Sequence, residues 1–362
     1  MPANRMNREE FYAAMAPHDD ARLRKVLWTV YWRGNAQLRE RIEDELRPQD
    51  QPKVKPKQDL PDPAGVLAEV AAFVELAKDG AYMAGDRRVH HTERSKWRHT
   101  FRRLIADALA ALAASDPGPA QRAVAKIVDL ACEMKSYDYF HSDDPVEAAK
   151  FVVSEAVAAL WESVLRHDGF PAFAGCVPGQ LIRWEADYGW TRRGYGQVAE
   201  RETPLAVPLA RLLATPDMWR TFTESYLEAL GEAGRAGPGR PRTVYGSFDE
   251  ASYRRKARTG DLASWHEMLI DRFAGTPEDN LLDRLAASPA LSGPELTFLR
   301  ARIAQRRGDV SQAAALVVKC LRELPGHQAY LDFAVEVGAE LPSRAREIAA
   351  ERARAAKYFQ AT

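Results

Sequence analysis

The chain has 362 residues, 46% of them hydrophobic, with 51 Lys/Arg against 51 Asp/Glu. That is enough apolar material for a sizeable core, which excludes disorder as the default. The zero net charge means that any strongly basic segment must be matched by acidic surface elsewhere in the chain or by an acidic partner. Cys132, Cys176 and Cys320 stand far apart and alone. They read as buried free thiols in a reducing compartment, with no zinc-site or redox-pair spacing. No apolar run approaches the roughly 18 residues of a membrane span, and the first residues lack an apolar leader, so a cytoplasmic protein with no membrane contact is expected.

Strand-like runs are scarce, and periodic apolar stretches separated by short Pro/Gly breaks predict an all-α chain. Asn7 can cap a first helix, and Asp19 or Asp20 a second in which Leu23, Leu27, Val30 and Tyr31 share a face. With a third helix over 35–46, these form an N-terminal helical unit, residues 1–46. Five prolines in residues 47–65 mark a linker. A central helical domain is expected over 66–230. In it Thr92 caps one helix running to Ala113, with Trp97, Phe101, Leu104, Ile105, Ala108, Leu109 and Leu112 as its apolar stripe. Further helices are expected over 120–135 and 142–167, the latter opened by Asp144, Pro145 and Glu147. Residues 168–207 mix glycine, proline and aromatics and read as an ordered aromatic loop. Helices resume over 204–213 and 217–231, and 231–247 is a second, basic Gly/Pro-rich linker.

Residues 248–362 read as helix pairs joined by short connections, the pattern of an α-solenoid or an up-and-down bundle. Within them Gly308 and Asp309 lie at an inter-helix turn, Ala313 at a close approach and Pro325 at an end. Residues 297–325 resemble a single tetratricopeptide hairpin, although Thr297 replaces its usual early aromatic and Ala301 replaces the usual small residue near the middle of its first helix. The resemblance implies a tetratricopeptide-like array whose concave face takes a peptide or a partner helix.

The segment from Arg87 to Arg103 carries seven Lys/Arg and three His against one Glu. On a continuous helix Arg94, Arg98 and Arg102 align at i, i+4, i+8 and could grip nucleic-acid phosphates or a phosphorylated ligand. They could equally be matched within the chain, since residues 129–168 hold nine Asp/Glu against three Lys/Arg. Trp184, Tyr188, Trp190 and Tyr195 beside Arg192 and Arg193 suit an interaction hot spot or an aromatic-anchored loop, and Trp190, Arg192 and Tyr195 join the three arginines as candidate partner-binding residues.

Catalytic signals are sparse. His141 and Ser142, a long helix, then His167 and Asp168 resemble the ligand order of the metal-dependent HD phosphohydrolases, which implies a divalent metal and a hydroxide nucleophile. The usual arginine before the first histidine is absent, and only Asp187 or Asp217 could supply the last aspartate. His90, His91 and His99 lie among arginines that would repel a cation, so no metal site is expected there. No nucleophile elbow, HExxH or phosphate-binding glycine motif occurs, and no cofactor is implied. The chain therefore reads as a non-enzymatic scaffold for a protein or peptide partner, with nucleic-acid binding through residues 87–103 and an HD-like hydrolase as alternatives.

Overall fold

The computed structural model describes residues 8–34, 38, 39, 42, 46, 60–83, 86–134, 137–187, 196–235 and 250–360. The described residues contain helices and connections and no strand, and no helix among them is long and apolar enough to cross a membrane. The chain divides into two compact units, Met1–Asp59 and Leu60–Thr362.

The first unit contains α1 (Arg8–Met15) and α2 (Asp20–Arg33). Asp19 is the cap of α2, its carboxylate accepting from the Arg22 amide at 2.9 Å. The expected helix over 35–46, most of the linker expected over 47–65 and the Asn7 cap lie wholly or largely outside the described residues.

The second unit opens with α3 (Pro63–Lys78), where Asp62 accepts from Gly65 N and Pro63 occupies the first turn. The helix expected from Thr92 to Ala113 is instead two, α4 (His91–Arg94) and α5 (Trp97–Ala111). His90, not Thr92, caps α4. The turn at Ser95 and Lys96 lets both Val89 and Trp97 reach the core. The apolar stripe of α5 is buried apart from Leu109, which is half-buried, and Trp97 stacks on Phe140 at 4.1 Å between ring centres. Next comes α6 (Gly118–Glu133).

The helix expected over 142–167 is also two, α7 (Pro145–Ala149) and α8 (Val153–His167). Asp144 caps α7 as expected. Lys150 then takes a left-handed conformation (φ 53°), and Phe151 turns into the core against Phe101. Glu202, remote in sequence, accepts from the amides of Val153 and Ser154 at 2.5 and 3.0 Å and so opens α8.

Most of the expected aromatic loop over 168–207 is helical. α9 (Gly169–Leu181) follows α8 after a turn at Gly169 (φ 80°), and a π-helical stretch, Ile182–Asp187, continues it. Its glycines and prolines are poor helix formers. Burial of Phe173, Ala174, Val177 and Leu181 on one face outweighs that preference. Short helices α10 (Gln197–Arg201) and α11 (Ala206–Leu212) lead to α12 (Pro216–Arg235), so residues 231–235 belong to a helix and not to a linker.

The remaining helices are α13 (Glu250–Asp261), α14 (Ala263–Phe273), α15 (Asn280–Ala286), α16 (Pro294–Arg306), α17 (Val310–Glu323), α18 (Gln328–Glu336) and α19 (Ser343–Gln360). One core runs from Val66 to Ile303 and so continues past the boundary expected at 231–247. Trp265 on α14 stacks on Trp219 and meets Phe222 edge-on, both on α12. A smaller core runs from Ala301 to Ala345. The division falls on α16, where Leu299 and Ile303 belong to the larger core and Ala301 and Ala304 to the smaller.

Gly196 has a φ of 131°, and a Cβ there would lie 2.6 Å from the carboxylate of Glu147, which accepts from the amides of Gln197 and Val198. A Cβ on Gly179, in α9, would meet nothing within 4 Å. Gly196→Ala should therefore destabilise the protein by about 1–3 kcal/mol, whereas Gly179→Ala should stabilise it by about 0.5–1 kcal/mol. Opposite shifts of the urea midpoint check the pair.

Candidate functional site

The basic stretch does not present an aligned row of arginines. Arg94 folds back, its Nε donating to Val89 O at 2.9 Å. Arg102 is partly buried and donates to the carbonyls of Ala149 and Ala148 at 2.9 and 2.6 Å, satisfying the C-terminal end of α7. Arg88 holds Asp79 and Asp86, Arg103 holds Glu69 and Asp107, and Lys96 reaches Glu93. Among the described residues, Arg87 and Arg98 are the basic side chains of this stretch left exposed with no hydrogen bond or ion pair.

The acids of residues 129–168 are not what matches them. Asp129 takes Arg183 and Trp184 Nε1, Glu133 takes Lys78, and Glu155 takes Arg201. Glu162 pairs with Arg166, while Asp144 and Glu147 cap helices. Charge matching does occur, but through other partners.

Trp190, Arg192 and Tyr195, with Tyr188 and Arg193, lie outside the described residues. Trp184 is buried, not exposed on a loop, and it stacks on Trp161. His141 is exposed in the turn before α7, and His167 is the exposed last residue of α8. Asp168 accepts from Gln121 Nε2 at 3.0 Å, and Asp217 pairs with Arg220 at the start of α12. Among the described residues no group of three or more His, Cys, Asp or Glu is placed to hold a metal ion, so the ligand set of an HD-like centre is not assembled from them. Cys132 and Cys320 are buried, but Cys176 is exposed. Burial pushes the Cys320 thiol up to about 12, which keeps it protonated and poorly nucleophilic.

A polar pair lies inside the larger core. Tyr226 and His266 share a hydrogen bond of 2.8 Å, both fully buried, with Arg258 nearby. Burial raises the tyrosine far above its usual range and lowers the histidine to about 3, so both are neutral near pH 7.

Among the described residues, a groove of about 330 Å³ lies between α15, α16 and α17. Its floor is apolar: Ala286 and Ala287 at the end of α15, Ile303 and Ala304 on α16, and Leu316 on α17. Its rim carries Asp283, Arg300, Arg307 and Gln312. The hairpin of α16 and α17 sets the walls. Gly308 (φ 86°) makes the turn, Asp309 caps α17 through the Gln312 amide, and Ala313, fully buried, allows close approach. On the rim, Arg307 is committed to Asp279 and Asp283 at 2.8 Å each, and these carboxylates raise its pKa. Arg300 spends one N–H on Ala286 O, at 2.7 Å, and keeps the rest of an exposed guanidinium for another acceptor.

Sequence reasoning missed this groove. Its trace was present in Arg300 on α16 and Arg307 at its C-terminal cap, seven residues apart, and in Asp279 and Asp283 at i, i+4. No protein-family model matches the chain, and no curated protein or solved structure is significantly similar to it.

Two outcomes follow. Arg102→Glu should cost about 1.5–3 kcal/mol by removing charge-assisted bonds to two carbonyls, whereas Arg98→Glu should change stability by less than about 0.5 kcal/mol; urea unfolding of the two variants measures the difference. For His266, the folded-state value of about 3 lies below the usual value near 6.5, so only the unfolded chain takes up a proton between them. The protein should lose about 1.4 kcal/mol per pH unit from this residue as pH falls through that window. His266→Gln should flatten that part of the stability–pH curve.

Proposed function

We propose that the chain is a non-enzymatic helical interaction module, and that the groove between α15, α16 and α17 holds an extended acidic peptide from a protein partner. The observation that carries this reading is the combination of an apolar floor with a rim guanidinium, Arg300, that has donors to spare. The volume is at the lower end for ligand sites, which suits two or three side chains of a peptide more than an enclosed small molecule. An apolar side chain would fill the space over Ile303 and Leu316, and a neighbouring carboxylate would pair with Arg300. We read α16 and α17 as one tetratricopeptide-like hairpin, supported by Gly308 at the turn, the buried Ala313 and Pro325 beyond the second helix. Repeats of that kind bind extended peptides on a concave face.

The test is selection of a random displayed-peptide library on the purified full chain, followed by affinity measurement against Arg300→Glu and Leu316→Glu variants of verified helicity. The expected result is enrichment of peptides with an acidic residue beside an apolar one, weakened about tenfold or more by each substitution, the size of a hot-spot contact. Failure to enrich any sequence, or binders indifferent to both substitutions, overturns the reading. So does salt-sensitive retention of DNA or RNA that depends on Arg87 and Arg98, which would move the function to nucleic acid.

A further inference from the structure

α2 is built unlike any helix that serves a core. None of its residues is buried, and Val26, Leu27, Trp28, Val30 and Trp32 are 39% to 72% exposed. At about 100° per residue, Arg22, Lys25, Thr29 and Arg33 fall on one narrow ridge, and apolar side chains take most of the remaining circumference. Asp20 and Arg24 interrupt the apolar arc in the N-terminal half, opposite the ridge, and pair with each other at 2.7 Å. Trp28 stacks on Tyr31 and Trp32 with ring centres 5.7 and 5.8 Å apart, which gathers three amphipathic rings in the C-terminal half.

We propose that α2 lies flat in the interface of an anionic lipid surface, with its apolar arc among the acyl chains and its cationic ridge at the headgroups. The breadth of the apolar arc favours lipid over a protein groove or a partner helix, either of which covers a stripe nearer 100° wide. Charge argues the same way. The ridge carries three cations and no acid, so it complements an anionic surface and would repel the same ridge of a second copy. Trp and Tyr rings also favour the headgroup level. The helix has 14 residues and spans about 21 Å, shorter than the roughly 30 Å hydrocarbon core, so it lies on the surface and does not cross.

The test is co-sedimentation of the full chain with vesicles of phosphatidylcholine alone and of phosphatidylcholine with phosphatidylglycerol, over a salt series. The expected result is binding to the anionic vesicles only, weakening with salt. It should fall about tenfold or more in the triple variant Arg22→Glu/Lys25→Glu/Arg33→Glu, and also in Val30→Glu, while Arg22→Lys/Arg33→Lys retains it. The substituted side chains lie in neither core, so far-ultraviolet circular dichroism of the variants should match that of the parent. Arg300→Glu should bind vesicles as the parent does, which separates failure of the groove reading from failure of this one. No sedimentation with anionic vesicles at low salt overturns the proposal. Concentration-dependent self-association abolished by Val30→Glu, without vesicle binding, overturns it in favour of a second copy.

Discussion

Helix α16 must satisfy two cores at once, and the arrangement of the C-terminal helices depends on that constraint. Leu299 and Ile303 face the larger core while Ala301 and Ala304 face the smaller, so the small residues set how closely the neighbouring helices approach. Two arginines on another face of α16 are matched by acids of α14. Arg302 holds Glu267 through bonds of 2.8 to 3.2 Å, and one turn later Arg306 holds Asp271. Four-residue spacing on α16 thus meets four-residue spacing on α14. The Arg306–Asp271 pair is exposed and contributes little, about 0–1 kcal/mol. Burial holds the helix in place, and the charges set its register. The groove is a consequence, because Arg307 ties α16 to Asp279 and Asp283 beside α15 while Gly308 turns the chain into α17.

Several charged side chains of this protein are spent on helix ends. Arg102 satisfies the carbonyls that close α7, Glu202 satisfies the amides that open α8, and Glu147 does the same for α10. Each partner is more than forty residues away in sequence. A helix terminus leaves several backbone groups without intrahelical partners, and a charged side chain is a stronger partner than a neutral one. The same devices fix both ends of short helices that propensity alone would not support. A cluster of cations in the sequence is therefore weak evidence for an acidic ligand when nearby helix ends compete for them.

These long-range contacts mark the limit of what could be read from the sequence. The apolar stripe of α5, the Asp144 cap and the α16–α17 turn were legible, because each depends on spacing within one element. The breaks at Ser95 and Lys150 were not. Lys150 takes its left-handed conformation because Phe151 is drawn into the core and Glu202 waits to cap the next helix. α9 was hidden for the opposite reason: its composition reads as loop, and only the buried face made by Phe173, Val177 and Leu181 reveals a helix. Arg94, Arg98 and Arg102 looked equivalent by periodicity, yet differ in fate because a neighbouring chain segment reaches two of them. The groove escaped notice because concavity belongs to three helices jointly.

The two proposed surfaces differ in what they cost the fold. The exposed face of α2 contributes to neither core, so packing in those cores does not constrain its composition, and an apolar arc there calls for a reason outside them. The groove is the reverse case. Ile303 in its floor belongs to the larger core and Ala304, the next residue, to the smaller. An occupant over these two residues would touch both cores through one helix, and anything that binds the folded form alone stabilises it by mass action. Binding there would thus brace α16 at the place where the two cores divide, so a peptide in the groove and the stability of the C-terminal helices are linked through the same two side chains.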